Sequence, residues 1–293
     1  MSGGRSARFV VVTAMMAIAV AVTAGLAFVV NVGFQGQGRP APASSPAAQR
    51  LTTASTSFAG QGAHVLGRCT TQLDPDQRNR NDNISIAAEK LDGTTIQPGQ
   101  EFSFNAAVGE RSSDLGYGSA RVIVDGRSEP GIAGGICQLS STLYNAALLA
   151  GMEITERRAH SRPVPYLPAG LDATVSYGAV DLRWVNVSAT AVTVRARVSA
   201  DNVSVWLDGQ KSAVPDVRLS TEVVEVIAPR PAAPPDPTGR AKSPPLPGAD
   251  TVASAGAPGY RVRVWAETAA PEGARQRRLV SEDLYEPVNA VTN

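Results

Sequence analysis

The chain has 293 residues, 43% of them hydrophobic, which is enough to bury an ordinary core. Its 27 Lys plus Arg against 26 Asp plus Glu leave no net field to attract DNA or RNA, so nucleic acid is not an expected partner. Two histidines (His64, His160) and two cysteines (Cys69, Cys137) exclude zinc fingers, iron–sulfur cages and most histidine-built metal centres, and no cofactor is expected.

Phe9 to Val30 carries no charge over 22 positions, a run of about 33 Å as a helix and enough to cross a bilayer. Arg5 and Arg8 precede it and the next charge is Arg39. The positive-inside bias therefore predicts a single-pass cell-membrane protein with residues 1–33 as cytoplasmic tip and signal anchor, and the body outside. Val22-Thr23-Ala24 offers a small-residue cleavage site, so a removed signal peptide is the alternative. The run exceeds the roughly 7–15 residues of a signal core, which favours the anchor. Both readings export the body.

Residues 34–62 turn to Gly, Pro, Ala, Ser and Gln, too poor in large apolar side chains to offset ordering entropy, and read as a disordered linker. A denser domain follows over 63–212. Residues 229–247 hold 8 of the 21 prolines, so a Pro-rich linker is predicted over 213–248, with a small β module over 249–293. No internal repeat of solenoid length is present.

Within the domain, Ile84, Ile86, Ala87 and Leu91 share a face of a predicted helix over Asn83–Leu91, stopped by Asp92-Gly93. Pro98-Gly99 reads as a turn entering a short strand that runs to Asn105. Leu139, Leu143, Ala146, Ala147 and Ala150 fall at helical spacing, so a helix begins near Cys137 and ends at Gly151. Met152 to Arg158 alternates as a strand that delivers His160. Asp181–Val187, Ala191–Ser199 and Val203–Leu207 alternate as antiparallel strands with one wet face. The expected fold is α+β: a Cys-bearing helix against a mostly antiparallel sheet, plus a small β-rich C-terminal module.

Cys137 follows Gly134-Gly135 at the first turn of its helix. Such a terminus stabilises an anion by about 0.3–1 kcal/mol, which favours a thiolate nucleophile. The glycines let backbone amides approach a substrate carbonyl oxygen, and the Gln138 side chain is a further candidate donor. His160 and Asp172 follow in chain order, so nucleophile, base and orienting carboxylate are all available. Other readings stand beside this one. Cys137 can pair with Cys69 in a disulfide or be an inert buried thiol, His160 can be structural, and Asp172 can cap a turn. A metal held by Cys137, His160 and Asp172 is unconvincing with one histidine and no second cysteine nearby.

The run Pro130-Gly131-Ile132-Ala133-Gly134-Gly135-Ile136-Cys137-Gln138-Leu139-Ser140-Ser141-Thr142-Leu143-Tyr144-Asn145, then Glu156-Arg157-Arg158-Ala159-His160-Ser161-Arg162, then Tyr166 through Val175, closely resembles the VanW family. Arg80, Asn83-Ile84, Pro98-Gly99, Phe102-Ser103-Phe104-Asn105 and Val108-Gly109 agree upstream. The resemblance implies an exported, anchored envelope protein, with Gly135, Gln138, Ser141, Thr142, Tyr144, Ser161, Arg162 and Tyr166 as binding candidates around Cys137, His160 and Asp172. Cys69 matches no motif position.

Gly259-Tyr260-Arg261-Val262-Arg263-Val264-Trp265 and Arg277 to Pro287 resemble a degenerate G-five module, which implies binding to amino sugars of cell-wall glycan. As residues, they read as a hairpin with Val262 and Val264 on one face and Arg261, Arg263 and Trp265 on the other. Two functions follow, with the cell-wall polymer peptidoglycan as partner in each. One is a thiol-dependent peptidoglycan hydrolase or transferase; the alternative is a noncatalytic glycan-binding envelope protein. Glu110, Asp114 and Glu156 are candidate carboxylates for glycan acid–base chemistry that would leave the cysteine structural.

Overall fold

The computed structural model describes residues 50–52, 64–124, 127–210, 216–230, 256–269 and 274–289. The predicted span Phe9–Val30 lies outside them. No helix among the described residues is long and apolar enough to cross a membrane.

The architecture is α+β and built mostly from antiparallel sheets. One four-stranded sheet runs in the order β2 (His64–Gln72), β10 (Asn202–Gly209), β9 (Val192–Val198), β3 (Thr95–Ile96). Its inner side chains Cys69, Val192, Val194, Val203, Val205 and Leu207 are buried, as alternation along a half-wet strand requires. Helix α1 (Arg78–Leu91) packs on β9, and α3 (Ile136–Leu149) packs on β2 and β10. Smaller sheets comprise β4 (Glu101–Ser103), β8 (Arg183–Val185) and β7 (Glu153–Glu156), and the hairpin β5 (Ser119–Val124) with β6 (Arg127–Ile132).

Helix α1 starts five residues before the predicted Asn83, because the polar stretch Arg78–Asp82 carries no apolar period to announce it. The strand expected to run to Asn105 ends at Ser103, where a short helix α2 (Phe104–Val108) begins. Ser103 is its N-cap: its hydroxyl accepts the Ala106 N–H at 3.0 Å and donates to Asp181 Oδ2 at 2.5 Å.

A second four-stranded sheet joins β1 (Arg50–Thr52), β11 (Val217–Ile227), β12 (Gly259–Ala269) and β13 (Arg275–Tyr285). Two of these strands fall where the sequence reading put linkers: β1 inside 34–62 and β11 inside 213–248. The prolines that marked the second linker begin only after β11 has ended. Val217 and Leu219 of β11 and Val264 and Ala266 of β12 enter the same buried cluster as the α3 side chains. The C-terminal strands thus share the core of the domain, and all described residues fall within one unit, Ala43–Asn293.

On β12, Val262 and Val264 are fully buried. On the opposite face Arg261 and Arg263 pair with Glu225 and Glu282, and Trp265 donates to Glu222 at 2.9 Å beneath the Arg277 guanidinium, 4.1 Å away. That indole is already covered and bonded.

Candidate functional site

Helix α3 is buried on nearly every side, including its polar residues. Burial of a hydroxyl or amide costs free energy unless it is bonded, and here the buried serines, Thr142 and the Asn145 amide nitrogen find partners, while Asn145 Oδ1 has none among the described residues. Ser140 Oγ donates to the Ala173 carbonyl at 2.6 Å, Ser141 Oγ to the Cys137 carbonyl at 2.6 Å while accepting the Ala173 N–H at 2.9 Å, and Asn145 Nδ2 to the Leu171 carbonyl at 2.6 Å. Thr142 Oγ1 donates to the Gln138 carbonyl at 2.7 Å and meets Thr71 Oγ1 at 2.9 Å. These bonds clamp the segment 171–173 against the helix, fixing Asp172 relative to Cys137.

Gly135 caps α3 in the left-handed region, with φ of +106°. A Cβ there would stand 2.8 Å from Arg80 Cγ, so glycine is required by both conformation and space. Cys137, in the first turn, is partly exposed on a cleft of about 990 Å³. The cleft is walled by the end of β2, Arg80 of α1, Arg111, the β5–β6 hairpin, the start of α3, His160, Tyr166 and the stretch 174–177.

Of the three residues predicted to act together, Cys137 and His160 line this cleft and Asp172 lies buried behind His160. The Cys137 thiol donates to the Val175 carbonyl at 3.6 Å and sits within electrostatic reach of the His160 ring. His160 Nδ1 lies 2.6 Å from Asp172 Oδ2. An ionised carboxylate only accepts, so Nδ1 carries its proton and Nε2 is left to face the thiol. Asp172 is fully buried and also accepts the His160 backbone N–H at 2.6 Å.

Electrostatics follow from these contacts. Burial pushes the Cys137 thiol up, but His160, the Val175 backbone and the Arg111 guanidinium outweigh it and hold the thiol below its ordinary value. Burial lowers His160, but Asp172 and Cys137 raise it more, to about 9. Burial would raise Asp172, yet His160, Arg157 and Tyr285 keep it below the usual carboxylate range. The shifts together favour a thiolate–imidazolium pair backed by a carboxylate. Cys69 is a separate free thiol in the core, pushed up to about 12 by burial, so the disulfide reading does not hold.

The binding candidates divide. Gly135, Gln138 and Tyr166 line the cleft, whereas Ser141, Thr142 and Tyr144 are buried in the core and Ser161 and Arg162 lie off the cleft wall. Gln138 turns inward: Nε2 donates to Thr71 Oγ1 at 3.0 Å and to the Gln72 carbonyl at 2.7 Å, which uses both its N–H groups. It braces β2 against α3 instead of donating to a ligand. Tyr144 lies under Arg157, 5.2 Å from ring centre to guanidinium, and burial pushes its hydroxyl up to about 12. Glu110, Asp114 and Glu156 do not line the cleft, and Glu156 accepts the Asp181 N–H at 3.0 Å.

Three other cleft groups lie outside the candidate site residues, although Arg80 and Thr174 fall within the family resemblance. Arg80 lies over the Tyr166 ring at 5.9 Å, and Arg111 donates to Asn105 Oδ1 at 2.7 Å and to the Gly109 carbonyl at 3.1 Å. Burial lowers both guanidinium pKa values, and neither is ion-paired to a carboxylate among the described residues. Thr174 Oγ1 is buried on the cleft wall without a hydrogen-bond partner.

A helix N-terminal thiol, an imidazole and a buried carboxylate on an α+β frame are groups that a thiol acyl-transfer site would need. Residues 79–207 match the family model described as VanW like protein, so this part of the chain is a VanW-like domain. It is 44% identical over 139 residues to Uncharacterized protein YoaR of Bacillus subtilis (strain 168), covering 46% of each chain. It is 33% identical over 112 residues to Vancomycin B-type resistance protein VanW of Enterococcus faecalis (strain ATCC 700802 / V583), covering 36% of this chain and 41% of that one. The match thus spans less than half the length of these relatives. No solved structure matches the chain.

Proposed function

We propose that this protein is a thiol-dependent hydrolase or transferase of the cell wall, acting on the peptide part of peptidoglycan from the outer side of the membrane, where the apolar run Phe9–Val30 anchors it. The observation that carries this reading is the Cys137–His160–Asp172 line opening on one cleft.

In the first half-reaction the Cys137 thiolate attacks an amide carbonyl and a C–S bond forms. The C–N bond then breaks as His160 gives its Nε2 proton to the departing amine, leaving a thioester on Cys137. In the second, His160 takes a proton from water or from an acceptor amine, whose O or N displaces the sulfur and restores the thiolate. Asp172 holds the imidazole in the Nδ1–H tautomer throughout. The positive end of α3 faces the cleft beside Cys137 and would favour the developing oxyanion.

Arg80 and Arg111 suit an anionic substrate group beside the scissile bond, such as a carboxylate of a stem peptide. One relative is named for vancomycin resistance; a cell-wall setting is part of this proposal and a resistance role is not.

The noncatalytic alternative draws on one observation. Ser140, Ser141, Thr142 and Asn145 are bonded within the protein, so most of the polar motif is scaffold. Incubating the full chain with purified peptidoglycan fragments separates the two readings. Catalysis predicts new peptide products that disappear with Cys137→Ala. Binding of fragments by both forms without any product supports the module reading instead.

A further inference from the structure

Asp172 is anchored through both carboxylate oxygens, from two different parts of the chain. Oδ2 accepts the two bonds from His160, each 2.6 Å. Oδ1 faces β13, where Tyr285 Oη donates at 2.5 Å, and the same phenol oxygen accepts the Gly170 N–H at 2.6 Å. Tyr285 is fully buried.

A second link runs alongside. Arg157 Nε donates to the Asp172 carbonyl at 2.6 Å and Nη2 to the Gly170 carbonyl at 2.9 Å, while Nη1 pairs with Asp283 Oδ1 of β13 at 2.5 Å. Its nearest approach to Oδ1 is 3.5 Å, too long to replace the phenol. Gly170 permits the approach. Its φ is +92°, and a Cβ there would lie 2.5 Å from Val264 Cγ2. Tyr285 and Asp283 both lie outside the family domain at 79–207.

We propose that Tyr285 is a positioning residue for the thiol site: by holding Oδ1 of Asp172 it keeps Oδ2 on His160 Nδ1 and the imidazole on Cys137, so the C-terminal sheet is a working part of the site. This rests on Cys137, His160 and Asp172 being the reacting unit. The terminal torsion of an aspartate is broad, so a carboxylate bonded through one oxygen can swing, and a second donor on the other oxygen removes that freedom. Preorganisation of this kind raises the reactivity of the group at the end of the chain of bonds. The titratable groups around the His160–Asp172 pair are Cys137 and Tyr144 from α3, Arg157, Tyr166, and Asp283 and Tyr285 from β13.

The test is the pH dependence of Cys137 alkylation by iodoacetamide in the full chain, read by peptide mapping so that Cys69 is scored separately. Tyr285→Phe keeps the ring and removes the hydroxyl. It is expected to move the labelling midpoint upward by about half to one pH unit, so that the rate at pH values below the midpoint falls about three- to tenfold. Val262→Ala loosens the same interface without touching the bonds to Asp172, and lowers Tm while leaving the midpoint in place. Asp283→Asn keeps the phenol but weakens the Arg157 link, moves the midpoint in the same direction, and keeps the test readable if Tyr285→Phe does not fold. The proposal is overturned if a folded Tyr285→Phe leaves the midpoint in place, if Tyr285→Phe does not fold and Asp283→Asn leaves it in place, or if Val262→Ala moves it as far. His160→Ala separates the two levels. If it shifts the midpoint and Tyr285→Phe does not, only the positioning role fails; if it shifts nothing, the reacting unit itself fails.

Discussion

Asp172 has no solvent exposure, and its carboxylate accepts bonds from His160 and Tyr285 and lies 3.5 Å from the Arg157 guanidinium, so removing its charge leaves buried donors and a buried cation uncompensated. Asp172→Asn is therefore expected to cost about 3–5 kcal/mol near neutral pH, measured by denaturant unfolding. The pH dependence has a definite sign. The folded value lies below the ordinary 3.8, so the stabilisation is complete above that pH and is lost as pH falls through the folded value. The gap between wild type and Asp172→Asn should narrow as pH drops below about 4; a constant gap means that the charge of Asp172 is not what stabilises the fold. Arg80 and Arg111 give a second prediction at this scale. Losing one charge-assisted bond of about 1.5–3 kcal/mol raises KM about ten- to a hundredfold for an anionic fragment in Arg80→Ala or Arg111→Ala. Little change for an uncharged analogue is expected, and equal losses on both substrates would remove the arginines from recognition. Cys137, His160 and Asp172 were legible as a set because a thiol at a helix start demands a base and an orienting group. Gln138 was misread: successive helical residues point about 100° apart, so it cannot share the direction of Cys137. Tyr285 gave no signal, since it lies 113 residues from the carboxylate it holds.

At the scale of elements, α3 and the segment after Gly170 behave as one piece because hydroxyl and amide side chains stitch them together. Ser141→Ala removes the acceptor of the Ala173 N–H and leaves a buried donor unsatisfied, a cost of about 1–3 kcal/mol in unfolding free energy. Because that strip carries Asp172, the same variant should also slow Cys137 labelling at neutral pH; normal labelling with lost stability would confine Ser141 to packing. Long periodic elements were readable. Helix α3 and strands β7 to β10 fall close to their predicted spans. Strand β11 escaped because only Val217 and Leu219 are deeply buried on it and the remainder alternates charged and half-exposed residues next to a run of prolines. The short β4–α2 junction escaped because Ser103 caps a helix of five residues, too short to show a period.

Across the whole molecule, the family domain supplies the thiol, the imidazole and the orienting carboxylate, and the C-terminal sheet closes over the back of that carboxylate. The sheet was read from the sequence as a separate module because prolines intervene, yet Val264 and Ala266 share the core of the α3 domain. Proline content reports on the chain between elements and says nothing of which elements pack together. The central claim is that Cys137 forms a covalent acyl intermediate. The most direct measurement is intact-mass and peptide mapping of the full chain, in detergent, after rapid acid quench with a peptidoglycan stem peptide. The account predicts a mass increase equal to the acyl portion of the peptide, mapped to Cys137, labile to hydroxylamine, and absent in Cys137→Ala. Turnover of the peptide with no adduct at Cys137, or undiminished turnover by Cys137→Ala, would contradict it.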